Sequence, residues 1–211
     1  MASAVESALN QDFPKDEYEI VIINDGSTDR SAEILRGYEK YSNVRIYTQE
    51  NLKGIVAANN GFKMSKGRYV TLLDSDDYFE PDLLKKLSDI LEKNPDLDFV
   101  YPSYYEKSVE VEVKIVSPKS IFETLSVGTM FRKESLKSAG FFHLGLDFAE
   151  YDLLLRTYEK WKTFHCPETL FTYVRSGGSS TASAEFLRNA LSQLKNLYPD
   201  KLELIEKIRK Y

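Results

Sequence analysis

Cysteine occurs once in this 211-residue chain, at Cys166, which excludes an internal disulfide and fits a reducing compartment. Histidine occurs only as His143 and His165, and neither has a partner at metal-ligand spacing, so both read as structural. No run approaches the roughly 18 consecutive apolar residues of a membrane-spanning helix, and no basic-then-apolar leader opens the sequence. A soluble, cytoplasmic protein is therefore expected. Positive charge is in deficit: 28 Lys and Arg stand against 33 Asp and Glu, a net charge of −5. The basic footprint of a nucleic-acid binder is missing, and no nucleic-acid partner is expected. What the chain does have is 42% hydrophobic content, enough for the core of one α/β domain.

The apolar residues fall in short runs that stop abruptly in polar ones. Val70-Thr71-Leu72-Leu73 ends in Asp74-Ser75-Asp76-Asp77, three carboxylates within four residues. Such a run reads as a buried strand of a parallel sheet, and ligands of these sheets bind just beyond the strands' carboxyl ends. Three acids at that edge repel one another unless a cation sits among them, and hard oxygen donors suit Mg²⁺ or Mn²⁺ with a phosphate-bearing substrate. A second run, Glu19 to Ile23, ends in Asn24-Asp25-Gly26-Ser27-Thr28-Asp29. Ser27 or Thr28 is placed to cap the following helix. Val44 to Thr48 is a short strand, and Ile55 to Ser65 is helical. Pro81 opens a helix carrying Leu83, Leu84, Leu87, Ile90 and Leu91, ended by Asn94-Pro95. Phe99 to Tyr101 starts another strand. Alternating strands and helices are the signature of a parallel α/β sheet.

The second half differs in texture. Val109 to Lys114 alternates with period two, Val127 to Arg132 is a short strand, and Ala149 to Trp161 is a helix. Residues 176–183 are small and polar, a linker or a lid. Two amphipathic stretches, Phe186 to Tyr198 and Lys201 to Lys210, close the chain. Among the aromatics, Tyr101, Tyr104, Tyr105 and Trp161 read as packing residues.

Five blocks in order resemble the family 2 glycosyltransferases of GT-A fold: Asn24 to Asp29; Asn51-Leu52-Lys53-Gly54; Gly67-Arg68-Tyr69; Leu73 to Asp77 with Pro81; and Phe131-Arg132 ahead of Ala139-Gly140-Phe141 and Glu150 to Arg156. The resemblance covers roughly residues 4–181. It implies a mixed, mainly parallel sheet flanked by helices, with residues 1–103 binding a nucleotide sugar, 104–182 facing the acceptor, and 183–211 forming a helical tail. It further implies metal-assisted transfer of a hexose-type sugar from a nucleoside-diphosphate sugar, favouring UDP, to a hydroxyl acceptor with inversion. Asp25 matches the acid that accepts a hydrogen bond from the base. Asp74 and Asp76 match the Asp-x-Asp pair, the first facing the ribose or a metal-bound water and the second ligating Mn²⁺ or Mg²⁺. Asp77 is either a third member or a cap for the helix at Pro81.

Glu150 stands where the family has its catalytic Asp. Its extra methylene changes the reach by about 1.5 Å, and Asp147 and Asp152 compete for the role of base. Other departures concern charge. No Arg precedes the Asn in Ala57 to Gly61, and Tyr173-Val174-Arg175-Ser176 lacks the family's Tyr-Arg-x-His, leaving Arg175 as a cation in a shifted register. Residues 1–11 resemble the family's first helix, so the usual first strand is expected to be absent, exposing the edge of Ile20 to Ile23 and inviting a homo-dimer. A non-catalytic GT-A-fold module is the alternative function. A saccharide or lipid-linked acceptor is implied, and the latter would bring the protein to a membrane surface, where Lys201, Lys207, Arg209 and Lys210 permit contact but Glu203 and Glu206 favour a solvated helix.

Overall fold

The computed structural model describes residues 1–108, 113–175 and 183–208. In chain order they form α1 (Ala2–Leu9), β1 (Ile20–Asp25), α2 (Ser31–Arg36), β2 (Val44–Gln49), α3 (Gly54–Met64), β3 (Tyr69–Thr71), β4 (Tyr78–Phe79) and α4 (Leu83–Lys93). There follow β5 (Phe99–Ser108), β6 (Lys114–Val116), β7 (Met130–Arg132), α5 (Lys133–Ser138), α6 (Ala149–Thr157), β8 (Thr163–Arg175), α7 (Ala184–Leu197) and α8 (Leu202–Ile205). The alternating stretch at 109–112 and the small-residue stretch at 176–182 lie outside the described residues, as do Arg209 and Lys210.

The strands make two sheets. β1 and β2 pair in parallel, Ile20 opposite Val44 through Asp25 opposite Gln49. The larger sheet runs β3-β7-β5-β8-β4, with β6 also on β5. Its longest pairing, β5 with β8, is parallel, whereas the short pairs β3–β7, β4–β8, β5–β6 and β5–β7 are antiparallel. Among the described residues β1 pairs only with β2 and β3 only with β7, so each sheet presents an unpaired edge strand. Ile20 to Ile23 are half-buried, consistent with the exposed edge expected there.

Period-two geometry sorts β5 between two cores. Phe99 and Tyr101 join a cluster with Phe131, Tyr151 and Leu155, while Val100 joins one with Leu83, Leu87 and Leu91. Those three leucines, four residues apart, are fully buried and form the inner face of α4. Each contributes roughly 2 kcal/mol by leaving water. Ala190, Leu194, Ile205 and Ile208 bring the C-terminal helices into the Phe99 cluster. Trp161 packs edge-on to Phe99 and against Phe131, the packing role read from the sequence.

Element ends differ locally from expectation. The helix after Asp25 starts at Ser31, and its first N–H group is met by Asp29, whose Oδ1 accepts from the Ser31 amide at 2.9 Å, rather than by Ser27 or Thr28. The helix expected to open at Pro81 begins at Leu83, and its cap comes not from Asp82 before it but from Gln11, whose Oε1 accepts from the Leu84 amide at 3.0 Å.

Candidate functional site

The apolar run of β3 ends in a tight turn. The Asp77 amide donates to the Asp74 carbonyl at 3.2 Å, which puts Ser75 and Asp76 at the exposed corner. β4 leaves the turn and pairs with β8, Tyr78 opposite Thr172. Asp77 is 1% exposed, and its Oδ1 accepts from the Val174 amide at 2.7 Å. It therefore neither caps a helix nor faces outward, but clamps the acidic turn to β8. Its Oδ2 is buried without a hydrogen-bond partner. Burial pushes the Asp77 carboxyl up to about 7 against the pull of the Val174 amide.

The floor of this turn depends on Gly128. Its amide donates to the Leu72 carbonyl at 3.0 Å, its φ is +71°, and a Cβ there would lie 2.4 Å from the Phe171 ring. Glycine alone fits both the backbone conformation and the space.

Glu150 comes within the electrostatic reach of Asp74. It lies in the first turn of α6, over a small apolar cavity lined by Phe131, Phe142, Tyr151 and Leu154. Crowding by protein, and then the nearby Asp74 charge, push its carboxyl up to about 7. Asp74 keeps contact with solvent, yet crowding around its carboxyl and the neighbouring Asp76 charge push it up to about 6. The structure thus brings Asp74, Asp76 and Glu150 into one field of negative charge.

α6 is held firmly. Asp152, two residues beyond Glu150 and 1% exposed, accepts from Arg156 Nε at 3.0 Å and from the Tyr198 hydroxyl at 2.5 Å, and lies 3.1 Å from His143 Nδ1. The Arg156 guanidinium also donates to the Ala139 and Phe141 carbonyls. Asp147 exchanges two 3.1 Å hydrogen bonds with Gln193. Both competitors for the role of base are thereby engaged in holding helices together, whereas Glu150 feels the charge of Asp74.

Asp25 ends β1, on the other sheet, and no hydrogen bond or ion pair joins it to the acidic turn among the described residues. Its Oδ1 accepts from Gln49 Nε2 at 2.8 Å and from the Leu52 amide at 2.9 Å. Gly26 makes the approach possible: at φ +69°, a Cβ would sit 2.6 Å from the Asn51 amide nitrogen.

Two cations stand near the residues named in the sequence, Arg175 by the acidic turn and Lys53 by the Asp25 loop. Arg175 ends β8, one residue beyond the amide that holds Asp77, with Nη1 3.7 Å from the buried Glu106. Lys53 is exposed at the start of α3. Lys201, counted among residues available to a membrane, instead donates to the Leu155 carbonyl at 2.8 Å.

No group of three or more His, Cys, Asp or Glu side chains among the described residues is arranged to hold a metal ion by itself. The chemistry of the turn nonetheless fits a hard divalent cation whose shell is completed by substrate phosphates and water, because crowded carboxylates are relieved by a positive charge. Sequence reasoning missed Gln49, Asn60, Gly128 and Tyr198. Only pairing register and long-range packing reveal them.

Residues 1–153 match the family model described as glycosyl transferase family 2. The poly(ribitol-phosphate) beta-glucosyltransferase of Bacillus spizizenii is 30% identical over 151 residues, covering 65% of this chain and 24% of that protein. Glycosyltransferase GlyG of Streptococcus pneumoniae is 36% identical over 107 residues, 50% of this chain and 35% of that protein. The chain thus spans about a quarter to a third of these relatives' length. Among solved structures, S. aureus TarS 1-349 in complex with UDP-GlcNAc superposes with a TM-score of 0.70 at 24% identity, over 92% of this chain and 62% of that one. The mannosyltransferase PcManGT from Pyrobaculum calidifontis, in complex with GDP-Man and Mn²⁺, gives 0.75 at 14% identity, over 98% of this chain and 64% of that one. At such identities the likeness speaks for the fold.

Proposed function

The chain belongs to glycosyl transferase family 2 and has its GT-A fold, and on that premise we propose that it transfers a sugar from a nucleoside-diphosphate sugar, with uridine favoured, to a hydroxyl acceptor with inversion. The observation that supports this best is that the Glu150 carboxyl feels the charge of Asp74, which itself stands beside Asp76 in the turn after β3. A carboxylate with its proton affinity raised to about 7 is suited to take a proton near neutral pH.

Each residue has a role in the proposed reaction. Asp25 accepts the ring N–H of the base. Asp74 faces the ribose or a cation-bound water, and Asp76 is the ligand for the cation. A divalent cation, Mn²⁺ or Mg²⁺, would supply charge neutralisation to the departing diphosphate. The acceptor's hydroxyl proton passes to Glu150 while its oxygen attacks the anomeric carbon on the face opposite the diphosphate. The sugar–oxygen bond to the diphosphate breaks, and its electron pair leaves on the nucleoside diphosphate. Arg175, one residue beyond the amide that holds Asp77, adds positive charge near the leaving group.

The relatives' activities support a sugar-transfer reading, and the bound UDP-GlcNAc and GDP-Man of the two structures support a nucleotide-sugar donor. The acceptor is a saccharide or a lipid-linked hydroxyl. No helix among the described residues is long and apolar enough to cross a membrane. A second reading, a GT-A-fold module that binds donor without turnover, is favoured by the unpaired edge of β1, which leaves the strand bearing Asp25 supported on one side. That same edge is where a homo-dimer would form.

Incubation with UDP-sugars and hydroxyl acceptors, following UDP release, tests the transfer. Glu150→Gln should lower turnover at least about 100-fold while UDP affinity is kept. Retained turnover in the variant would move the base to Asp147 or Asp152, and absence of turnover in the unaltered chain would favour the non-catalytic module.

A further inference from the structure

Asp25 is the outer end of a chain of three polar side chains. Asn60 on α3 donates through Nδ2 to Gln49 Oε1 at 2.8 Å, and Gln49 at the end of β2 donates through Nε2 to Asp25 Oδ1 at 2.8 Å. All three are half-buried. The parallel register sets Gln49 directly opposite Asp25, and α3 packs on β1, with Gly61 lying 3.6 Å beneath Ile23 at its would-be Cβ. The relay is therefore built from three elements whose relative placement the small sheet fixes.

Its polarity follows from chemistry. A carboxylate is acceptor-only, so Gln49 must turn its NH₂ toward Asp25. Its oxygen then faces Asn60, which must present its own NH₂. Only one orientation of both amides satisfies every partner. Asp25 Oδ1 also takes the Leu52 amide, so two donors hold one oxygen, and among the described residues nothing bonds Oδ2.

We propose that Gln49 and Asn60 are positioning residues for base recognition: through this amide relay they hold Asp25 as a fixed acceptor, and the preference for a base with a ring N–H depends on two side chains that do not touch the donor. The inference rests on the reading of Asp25 as the base contact. Uracil carries a donor at N3 and cytosine an acceptor at the same atom, so UDP and CDP compare the two cases with little else changed. Guanine, with its N1–H, falls on the accepted side.

The test is the affinity of the full chain for UDP and for CDP by titration calorimetry with Mg²⁺ present, in four proteins. The unaltered chain should favour UDP. Gln49→Met keeps length and volume but removes both amide bonds, and the UDP over CDP preference should fall about tenfold, the scale of one charge-assisted hydrogen bond. Asn60→Asp keeps shape but removes the donor that holds the Gln49 oxygen and leaves the Gln49 NH₂ between two carboxylates that compete for it, so Asp25 is no longer held in one place and the preference should fall as well. Asp25→Asn is the reference, in which the preference should vanish. Melting temperatures without nucleotide identify any variant that is merely unfolded, and the other variant then decides.

Loss of UDP preference in a folded Gln49→Met or Asn60→Asp protein supports the relay. Equal weakening of UDP and CDP, or an unchanged preference, overturns it, because a purely structural role would not distinguish the two bases. If Asp25→Asn removes the preference while the relay variants keep it, the relay fails and the base contact stands. An unaltered preference in Asp25→Asn means that the reading of Asp25 itself fails.

Discussion

Replacing Tyr198 by Phe removes a single oxygen, and the structure says what that oxygen supports. The hydroxyl donates to Asp152 Oδ1 at 2.5 Å, and Asp152 is 1% exposed. Burial and the Asp152 charge push the phenol's proton affinity well up, so it acts only as a donor at ordinary pH. Arg156 and His143 lie against Oδ2, which leaves Oδ1 to Tyr198. Without that donor a buried carboxylate oxygen is unpaired, a loss of about 2 kcal/mol for a hydrogen bond to a charged group. For a domain of this size about 1 kcal/mol moves the melting temperature by roughly 3 °C, so calorimetry should show a fall of about 6 °C. The ring stays in place, and packing changes little. Because Asp152 anchors the helix that presents Glu150, kcat should also fall several-fold while the KM for the donor holds. A double-mutant cycle with Asp152→Asn should give a coupling of about 1 kcal/mol or more. A melting temperature within about 1 °C of the unaltered chain, or a cycle that is simply additive, would refute the claim that the C-terminal helices hold α6 through this bond.

Other outcomes follow from the same geometry. Gly128→Ala should destabilise by about 3 kcal/mol, combining a left-handed backbone with a clash, since the new Cβ would lie 2.4 Å from Phe171; a melting temperature near that of the unaltered chain would contradict it. The pH profile of kcat/KM should rise through about 7 as Glu150 loses its proton, being low below that value because the raised carboxyl is still protonated there; a limb near 4 would mean that another group is the base. Asp77→Asn keeps an oxygen for the Val174 amide and should cost little, whereas Asp77→Leu loses that bond and should destabilise by about 1–3 kcal/mol; equal melting temperatures for the two variants would sink the clamp.

The sequence made the acidic turn legible because an apolar run that halts in three carboxylates has few other readings, but the strand before it differs from the buried parallel strand expected over Val70 to Leu73: β3 is the edge strand Tyr69–Thr71, antiparallel to β7, and only Val70 in it is buried. Glu150 was found through its place in the helix block, and the structure adds its approach to Asp74. β8 was less legible for a physical reason. Pro167 interrupts its pattern, and the structure accommodates it in an irregularity: Cys166 opposes Pro102 and Thr169 opposes Ser103, with two residues skipped between. Asp77 could be read as ligand or cap because its real partner, Val174, is 97 residues away. Gln49 and Asn60 carry no motif signal at all. Their role follows only when two parallel strands are set in register and a helix is laid against them.

The most direct measurement is the melting temperature of this chain with UDP, GDP and CDP, each with and without Mn²⁺, alongside Asp76→Ala. A ligand at about 100 times its dissociation constant adds roughly 2.7 kcal/mol, or about 8 °C here. A Mn²⁺-dependent rise with UDP or GDP that disappears in Asp76→Ala is the result predicted for a nucleotide-sugar site at the end of β3. No rise with any nucleotide would contradict it.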